Sequence, residues 1–325
     1  MSTNSPECKF VEHNTSLATL IDADILYSMK ESFASTLSLK CVYQDPAFIS
    51  QAIGNRQSGA TELVLRPHPA TEALEMIYLP VSPGDDMKIS HLHRIDLGSF
   101  IVEEDDVRSI ATSAIALKDL TATILWSQSG NAIVAALSPL HKQLEILDLR
   151  RHPRCNKYVS PTATQEKTDF SYFTNLRVLR VSSNFWFQSI SCKERSVPRK
   201  FTWHLENRND THTLLPTSLT DLNMRFDWPN GIFARQLRCQ ELFRKCPKSI
   251  QKKGFAWMIE WQRKLPKLER MALSEEVHKC EGYRNVGSDI RAMLTRLEPP
   301  KVVQDVFKER GVELDVQMLE FVRAD

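Results

Sequence analysis

A short pattern of apolar and variable positions recurs along the chain. It consists of an apolar residue, two variable residues, a second apolar residue, one variable residue and a third apolar residue. Copies begin at residues 34, 60, 92, 117, 144, 176, 219 and 268, the first two with alanine and the others with leucine. Because alternating residues of a strand point to opposite faces, each copy predicts a short, half-buried β-strand. We call this pattern the strand phrase.

Amphipathic helices are predicted between several of the phrases. After the acidic run at residues 103–106, Val107, Ile110 and Ala111 share one helical face. The acidic residues suit the first turn of that helix, where the helix dipole favours negative charge. Apolar stripes of the same kind follow Gly130 and occupy residues 48–53. The chain therefore alternates strand, connection, helix and strand.

The strand phrase matches the strand segment of the leucine-rich-repeat consensus, whose repeats are about 20–29 residues long. The phrases that begin at 92, 117 and 144 are spaced within that range, and the later ones are further apart. This pattern predicts an α/β fold, an irregular leucine-rich-repeat solenoid with a curved parallel sheet and a helical outer face. A doubly wound α/β domain is the competing interpretation, but its glycine-rich ligand turn is missing from the sequence.

The same pattern divides the chain into three predicted regions. Residues 1–16 form a disordered polar tail, and residues 17–280 form the solenoid, with long insertions after residues 182 and 226. Residues 281–325 form a carboxy-terminal helical cap, which a solenoid needs to cover its exposed core. Within the cap, helices are predicted over 290–297 and 302–310, the second ended by Gly311, followed by a final edge strand over 312–316.

Composition narrows the class of protein. The net charge is +2, and the seven cysteines include no Cys-x-x-Cys pair, as expected in a reducing compartment. No apolar run approaches the roughly 20 residues of a membrane span, and no secretory signal is evident. We therefore expect a cytoplasmic or nuclear protein with no membrane partner. No catalytic, metal or cofactor motif is recognisable, so we expect no enzyme, although an enzyme without a readable motif stays an alternative.

Two segments resemble the repeat regions of fungal F-box/leucine-rich-repeat-like proteins. These are Leu-Arg-Val-Leu-Arg-Val-Ser-Ser-Asn at residues 176–184 and Leu-Pro-Thr-Ser-Leu-Thr-Asp-Leu-Asn-Met-Arg-Phe at residues 215–226. The resemblance covers the repeat region, residues 34–280. The F-box itself is not evident, and only Asn184 stands at the consensus asparagine position. In that family the F-box docks to a cullin-ligase adaptor and the repeats recruit a substrate for ubiquitination. The resemblance implies a protein-interaction scaffold that recruits an unidentified protein to a ubiquitin ligase.

The variable positions inside the phrases are predicted to project from the concave face of the solenoid and to bind a partner. The arginine fork suits recognition of carboxylates and backbone groups. The alternative is that these side chains pair with each other along the sheet, each pair contributing about 0.2–1 kcal/mol. The candidate partner-binding residues are Arg66, Asp96, Asp148, Arg150, Arg180, Asn223 and Arg225.

The segment 235–270 is rich in lysine and arginine, with aromatic residues interleaved. Such a segment could grip phosphates and stack bases, which makes a nucleic-acid-associated protein the alternative function. We favour an amphipathic surface helix whose charges face water and whose aromatic residues pack inward. The candidate nucleic-acid residues are Arg244, Lys245, Lys252, Lys253, Arg263 and Lys264.

Overall fold

The structure is a computed structural model, and it divides the chain into two compact units, Met1–Tyr158 and Val159–Asp325. The described residues are 11–12, 36–41, 61–67, 78, 89–125, 128–152, 167–186, 211–226, 257–278, 290–296, 298–299 and 301–323. Within each unit these residues form mainly parallel strands together with a few helices, which is an α/β architecture.

The first unit contains a parallel sheet whose strands lie in chain order. Among the described residues of this unit, one helix follows β4 and another follows β5, and each connects a strand to its parallel neighbour, as a parallel sheet requires. A 3-10 turn, Ser138–Leu140, follows the second helix. The elements are β1 (Val11–Glu12), β2 (Thr36–Cys41), β3 (Glu62–Pro67), β4 (Arg94–Val102), α1 (Glu104–Ser113), β5 (Asp119–Ile124), α2 (Gly130–Ala136) and β6 (Ile146–Arg151).

Alternate residues of the first unit's strands build its core. Leu120 lies in register with Ile95 on one side and Leu147 on the other, and all three are buried. From the helical layer, Val107 and Ile110 of α1 are also buried. Each such side chain contributes about 1.5–3 kcal/mol on leaving water. The leucines of the phrase therefore fix which face of each strand turns inward.

A bulge in β4 sits next to this core. The register with β5 shifts between Asp96 and Ile101, and Gly98 has φ 57°, a left-handed conformation that glycine adopts without steric cost. The Gly98 N–H donates to Asp96 Oδ1 at 3.0 Å, and its carbonyl accepts from Thr123 Oγ1 at 2.9 Å. These two hydrogen bonds hold the bulge against β5.

The second unit has the strand order β7-β8-β9-β11-β10. Strands β7, β8, β9 and β11 are parallel, and β10 runs antiparallel to β11. Two 3-10 turns, Ser183–Phe185 and Thr211–Leu214, lie between β7 and β8 in the chain. The elements are β7 (Val178–Ser182), β8 (Asp221–Phe226), α3 (257–264), β9 (Arg270–His278), β10 (Ile290–Arg296), α4 (Lys301–Glu309) and β11 (Glu313–Arg323).

Aromatic rings fill part of the second unit's core. Trp261 on α3 meets Trp257 and Trp186 edge-on, with ring centroids 4.9 and 5.9 Å apart. Trp186 also packs edge-on against Phe170 at 5.5 Å. Its indole N–H donates to the Thr168 carbonyl at 2.8 Å, which satisfies a buried donor. These contacts attach α3 to the segment that surrounds β7.

The same backbone contact recurs at equivalent positions of successive phrases. In the first unit, the carbonyl of Lys118, the second residue of its phrase, accepts from the N–H groups of Glu145 and Ile146 at 2.8 and 2.9 Å. In the second unit, the carbonyl of Thr220 accepts from Glu269 and Arg270 at 2.8 and 3.0 Å. Carbonyls of Thr61, His93 and Arg177 bind the next phrase in the same way. One repeated arrangement therefore joins successive phrases at these five places, three in the first unit and two in the second.

All eight phrases form strands, and each strand begins two residues after the first residue of its phrase. The helix predicted from the acidic run at 103–106 and the helix predicted after Gly130 are confirmed as α1 and α2. The predicted tail 1–16 lies outside the described residues except for Val11–Glu12, which pair with β2. The apolar stripe at 48–53 also lies outside them.

Of the three elements predicted in the cap, the second helix and the strand are present and the first helix is not. The helix expected over 302–310 is α4, and Gly311 follows it with φ 69°. The helix expected over 290–297 is wrong, because this segment forms β10 and pairs with β11. The strand expected over 312–316 continues to Arg323 and is not at the edge, since β10 covers its outer side. Pairing along β11 outweighs the local helical signals of 290–297.

In the described part of the chain, no helix combines the length and the apolar character needed to cross a membrane.

Candidate functional site

The strand register aligns the variable positions of neighbouring phrases. In the first unit, Asp96, Thr121 and Asp148 lie side by side on β4, β5 and β6. In the second unit, Arg180 lies beside Asn223. We call this side of each sheet, opposite to the buried leucines, the polar strand face. The positions two residues further along are also aligned: Lys40 with Arg66, Thr123 with Arg150, and Ser182 with Arg225. The side chain of Arg66 lies outside the described residues.

Asp148 and Arg150 form a closed ion pair on β6. Arg150 Nε donates to Asp148 Oδ1 at 3.0 Å and Nη2 donates to Oδ2 at 2.6 Å, a bidentate geometry. The hydrogen bond to Asp148 raises the pKa of Arg150 above its ordinary value. Burial lowers this pKa, and the negative charges of Asp148 and Asp96 raise it further. Asp148 is only 4% exposed. This predicted binding pair is thus satisfied within the chain.

A second arginine, Arg94 on β4, lies between carboxylates of three strands. Its guanidinium is 3.5 Å from Glu62 on β3, 3.3 Å from Asp119 on β5 and 3.7 Å from Asp96 on its own strand. Asp96, another predicted binding residue, is 6% exposed. On the polar strand face of the first unit, acidic and basic side chains therefore largely neutralise each other.

The second unit repeats this arrangement around Arg270 on β9. Its guanidinium is 3.6 Å from Asp221 on β8, 3.7 Å from Glu313 and 3.8 Å from Asp315 on β11. Gln317 donates to the same Asp315 at 2.5 Å. Arg94 and Arg270 occupy the third position of their phrases, and so do Glu62, Asp119 and Asp221. Sequence reasoning missed these residues, although the alternating sign at this one position was visible.

Beside the Arg270 cluster lies a group that we call the open arginine patch: Arg180, Asn223, Arg225 and Ser274. Arg180 is exposed and Arg225 is half-buried. Among the described residues, neither arginine has a hydrogen-bond or ion-pair partner. Asn223 adjoins the small residue Ala272, and Arg225 adjoins Ser274. Of the predicted partner-binding residues whose side chains are described, Arg150, Arg180, Asn223 and Arg225 are at least partly exposed, and Arg150 is the one of these that is held in an ion pair.

Part of the basic segment can also be placed. Arg263 and Lys264 are exposed on α3, whereas Trp257 and Trp261 of the same helix are 2% and 0% exposed. Both tryptophans pack in the core and are not available to stack on bases, so α3 follows the amphipathic pattern that we favoured. Arg244, Lys245, Lys252 and Lys253 lie outside the described residues.

Among the described residues, no group of three or more histidine, cysteine or acidic side chains is arranged to hold a metal ion. Comparisons with protein-family models, with curated proteins and with solved structures found no match. What the site can bind is therefore inferred from its own side chains. Two guanidinium groups, an amide and a hydroxyl suit the recognition of carboxylate and peptide groups.

Proposed function

We propose that this chain is an irregular leucine-rich-repeat solenoid and that it acts as a protein-interaction scaffold, with no catalytic step of its own. Support for the repeat architecture comes from the equivalent backbone contacts that join successive phrases, such as those accepted by Lys118 and Thr220. In a solenoid each repeat buries its apolar face against its neighbours and leaves a row of side chains free to bind. The polar strand face is that row.

The main support for the proposed binding function is the exposure of the open arginine patch on this face in the second unit. Arg180, Asn223 and Arg225 stand on β7 and β8, whose opposite faces carry the buried residues Leu179 and Leu222. A rigid sheet that presents unsatisfied donors can bind a partner with little loss of conformational entropy. Arginine is also enriched among residues that dominate binding energy at protein interfaces.

For the partner class we further propose recruitment of a substrate to a ubiquitin ligase, in a cytoplasmic or nuclear setting. This finer proposal rests on the resemblance of residues 176–184 and 215–226 to the repeats of F-box/leucine-rich-repeat-like proteins. It requires two partners, a cargo protein on the polar strand face and a cullin-ligase adaptor elsewhere on the chain.

The test is affinity purification of the full chain from native extract, with mass spectrometry of the retained proteins. Three proteins are compared: the unchanged chain, Asn223→Trp and Thr112→Trp. Asn223→Trp places a large ring on the polar strand face, whereas Thr112 is exposed on α1, away from it. We expect at least one protein to be retained by the unchanged chain and by Thr112→Trp but lost from Asn223→Trp.

Each outcome bears on a different part of the proposal. Cullin-ligase subunits in the eluate, retained by all three proteins, would support the ligase role. A cargo protein without such subunits would support the scaffold and contradict the ligase role. Retention that is the same for all three proteins would contradict binding on this face. Nucleic acid that is lost with Arg263→Glu/Lys264→Glu would favour the alternative function.

A further inference from the structure

Five arginines whose side chains are described stand at the third, fifth or seventh position of a phrase on the polar strand face, and they fall into two groups according to their partners. Arg94, Arg150 and Arg270 each bind one or more carboxylates of the chain itself, at distances from 2.6 to 3.8 Å. Arg180 and Arg225 bind none among the described residues. The same side chain on the same kind of surface is thus saturated in three places and open in two neighbouring ones.

The surroundings of the open pair explain why it is unsaturated. Arg180 is in register with Asn223, a neutral amide, and Arg225 is in register with Ser182 and Ser274. The adjacent carboxylate, Asp221, interacts with Arg270 at 3.6 Å. Two positive charges therefore lie diagonally on neighbouring strands, and neither forms an ion pair with a described residue.

The spacing of the pair matches an extended chain. Arg180 and Arg225 are one strand apart and two residues apart along the strand direction. With a strand separation of about 4.8 Å and a rise of about 3.3 Å per residue, their Cα atoms lie about 8 Å apart. In an extended peptide, side chains two residues apart are on the same side and about 6.6 Å apart. The long arginine side chains can span the small difference.

We propose that the open arginine patch binds an acidic segment of a protein partner, in which two aspartate or glutamate residues alternate with one other residue. Each carboxylate accepts hydrogen bonds from one guanidinium, as Asp148 does from Arg150. Asn223 lies beside Arg180 and two residues before Arg225 on the same strand, so its amide provides a donor and an acceptor for the backbone between the two carboxylates. The inference rests on the proposed function, because it names the partner chemistry of the same face.

The test uses the full chain and a library of fluorescent peptides with the pattern acid–x–acid, in which x varies. Matched libraries replace the acids by glutamine, phosphoserine or lysine, and a single-stranded RNA oligonucleotide serves as a further probe. Binding is measured by fluorescence anisotropy for the unchanged chain, Arg180→Glu/Arg225→Glu and Arg263→Glu/Lys264→Glu. The last variant makes the same charge change at exposed positions of α3, away from the strand face.

We expect the acidic library to bind the unchanged chain and its glutamine counterpart to bind at least tenfold more weakly. Arg180→Glu/Arg225→Glu should lose at least tenfold in affinity for acidic peptides and gain affinity for the lysine library. The affinity of Arg263→Glu/Lys264→Glu for acidic peptides should stay within about twofold of that of the unchanged chain. The same charge reversal outside the patch leaves the contacts of Arg180 and Arg225 intact. Circular dichroism checks that each variant is folded. If Arg180→Glu/Arg225→Glu fails to fold, Arg180→Ala/Arg225→Ala takes its place.

The contrary outcomes separate this inference from the proposed function. If a partner is lost with Asn223→Trp but retained by Arg180→Glu/Arg225→Glu, the face binds protein and the acidic-segment inference is wrong. If neither change affects any partner, the proposed function fails as well. Binding of only the phosphoserine library or only RNA would also overturn the inference, since the patch would then recognise phosphate.

Discussion

At the residue scale, the charge that the polar strand face presents depends on which of its charged side chains form ion pairs within the chain. Arg150 and Asp148 are two residues apart on one strand, so a single strand suffices to bring them together. Arg94 instead takes its partners Glu62 and Asp119 from the phrases before and after its own. Local pairs and pairs between phrases thus neutralise the same surface.

The Asp148–Arg150 pair can be tested by removing the acid. Asp148→Ala leaves a guanidinium that is 39% exposed without its bidentate partner. We expect a loss of about 1–2 kcal/mol in the free energy of unfolding, since hydrogen bonds to charged groups contribute about 1.5–3 kcal/mol and partial exposure reduces this. Urea unfolding of both single variants and of the double variant Asp148→Ala/Arg150→Ala gives the coupling energy.

The matched control for this pair is Glu104→Ala. Glu104 pairs with Arg108 on α1, where the two side chains are 40% and 52% exposed. Such an exposed helical pair contributes about 0.3–0.5 kcal/mol. If Asp148→Ala lowers the free energy of unfolding no more than Glu104→Ala does, the Asp148–Arg150 pair has no stabilising role beyond that of a surface pair.

The sequence predicts side-chain direction at this scale but not the choice of a partner on another strand. Alternation with buried leucines is enough to place Asp148, Arg180 and Asn223 each on the polar face of its own strand, because the side-chain period of a strand is two. The Asp148–Arg150 pair can be read from the sequence, because the two residues are two apart on one strand. Pairs between strands cannot be read in this way. Only the register shows that Arg94 lies beside Glu62 and Asp119, and that Arg180 lies beside Asn223.

At the element scale, helix α3 is held by the packing of its aromatic side rather than by its charges. Trp261 is 0% exposed and meets two other tryptophan rings, whereas Arg263 on the same helix is exposed. We expect Trp261→Ala to lower the free energy of unfolding by about 3–5 kcal/mol, because it leaves a cavity in the core. Arg263→Ala should change it by less than about 0.5 kcal/mol.

Urea unfolding and near-ultraviolet circular dichroism provide the measurement for both variants of α3. The conservative change Trp261→Phe keeps an aromatic ring near Trp186 and Trp257, so it should retain part of the stability and of the aromatic dichroism. Equal effects of Trp261→Ala and Arg263→Ala would mean that α3 does not depend on the aromatic cluster.

Elements with a regular alternation of apolar and polar residues are predicted well from the sequence. Elements whose conformation depends on pairing with a strand distant in the chain are not. The phrase beginning at Leu117 predicts β5 because its alternation is set locally. Strand β10 was missed because Asp289 and the prolines after Leu297 suggest the start and end of a helix. Its strand conformation depends on antiparallel pairing with β11, from Ile290 opposite Arg323 to Arg296 opposite Gln317. Such tertiary pairing overrides local propensity.

At the scale of the whole molecule, the order of the strands decides which neighbouring strands lose stability when one strand is weakened. In the first unit, β2 to β5 each pair with the strand before and the strand after them in the chain. In such an array, stability is approximately a sum of repeat terms and nearest-neighbour terms. A cavity in β6 should therefore weaken its neighbour β5 most, then β4, and β3 least.

Leu147→Ala in the full chain tests this gradient, with native-state hydrogen exchange read strand by strand. Leu147 is fully buried, so the change should cost about 2–5 kcal/mol locally. Ile115→Ala is the control, since Ile115 is 65% exposed in the same unit and its loss should leave protection nearly unchanged. A graded decrease from β5 to β3 is expected for nearest-neighbour coupling. An equal decrease in all strands would instead mean that the first unit opens as one cooperative body, which a repeat array does not predict.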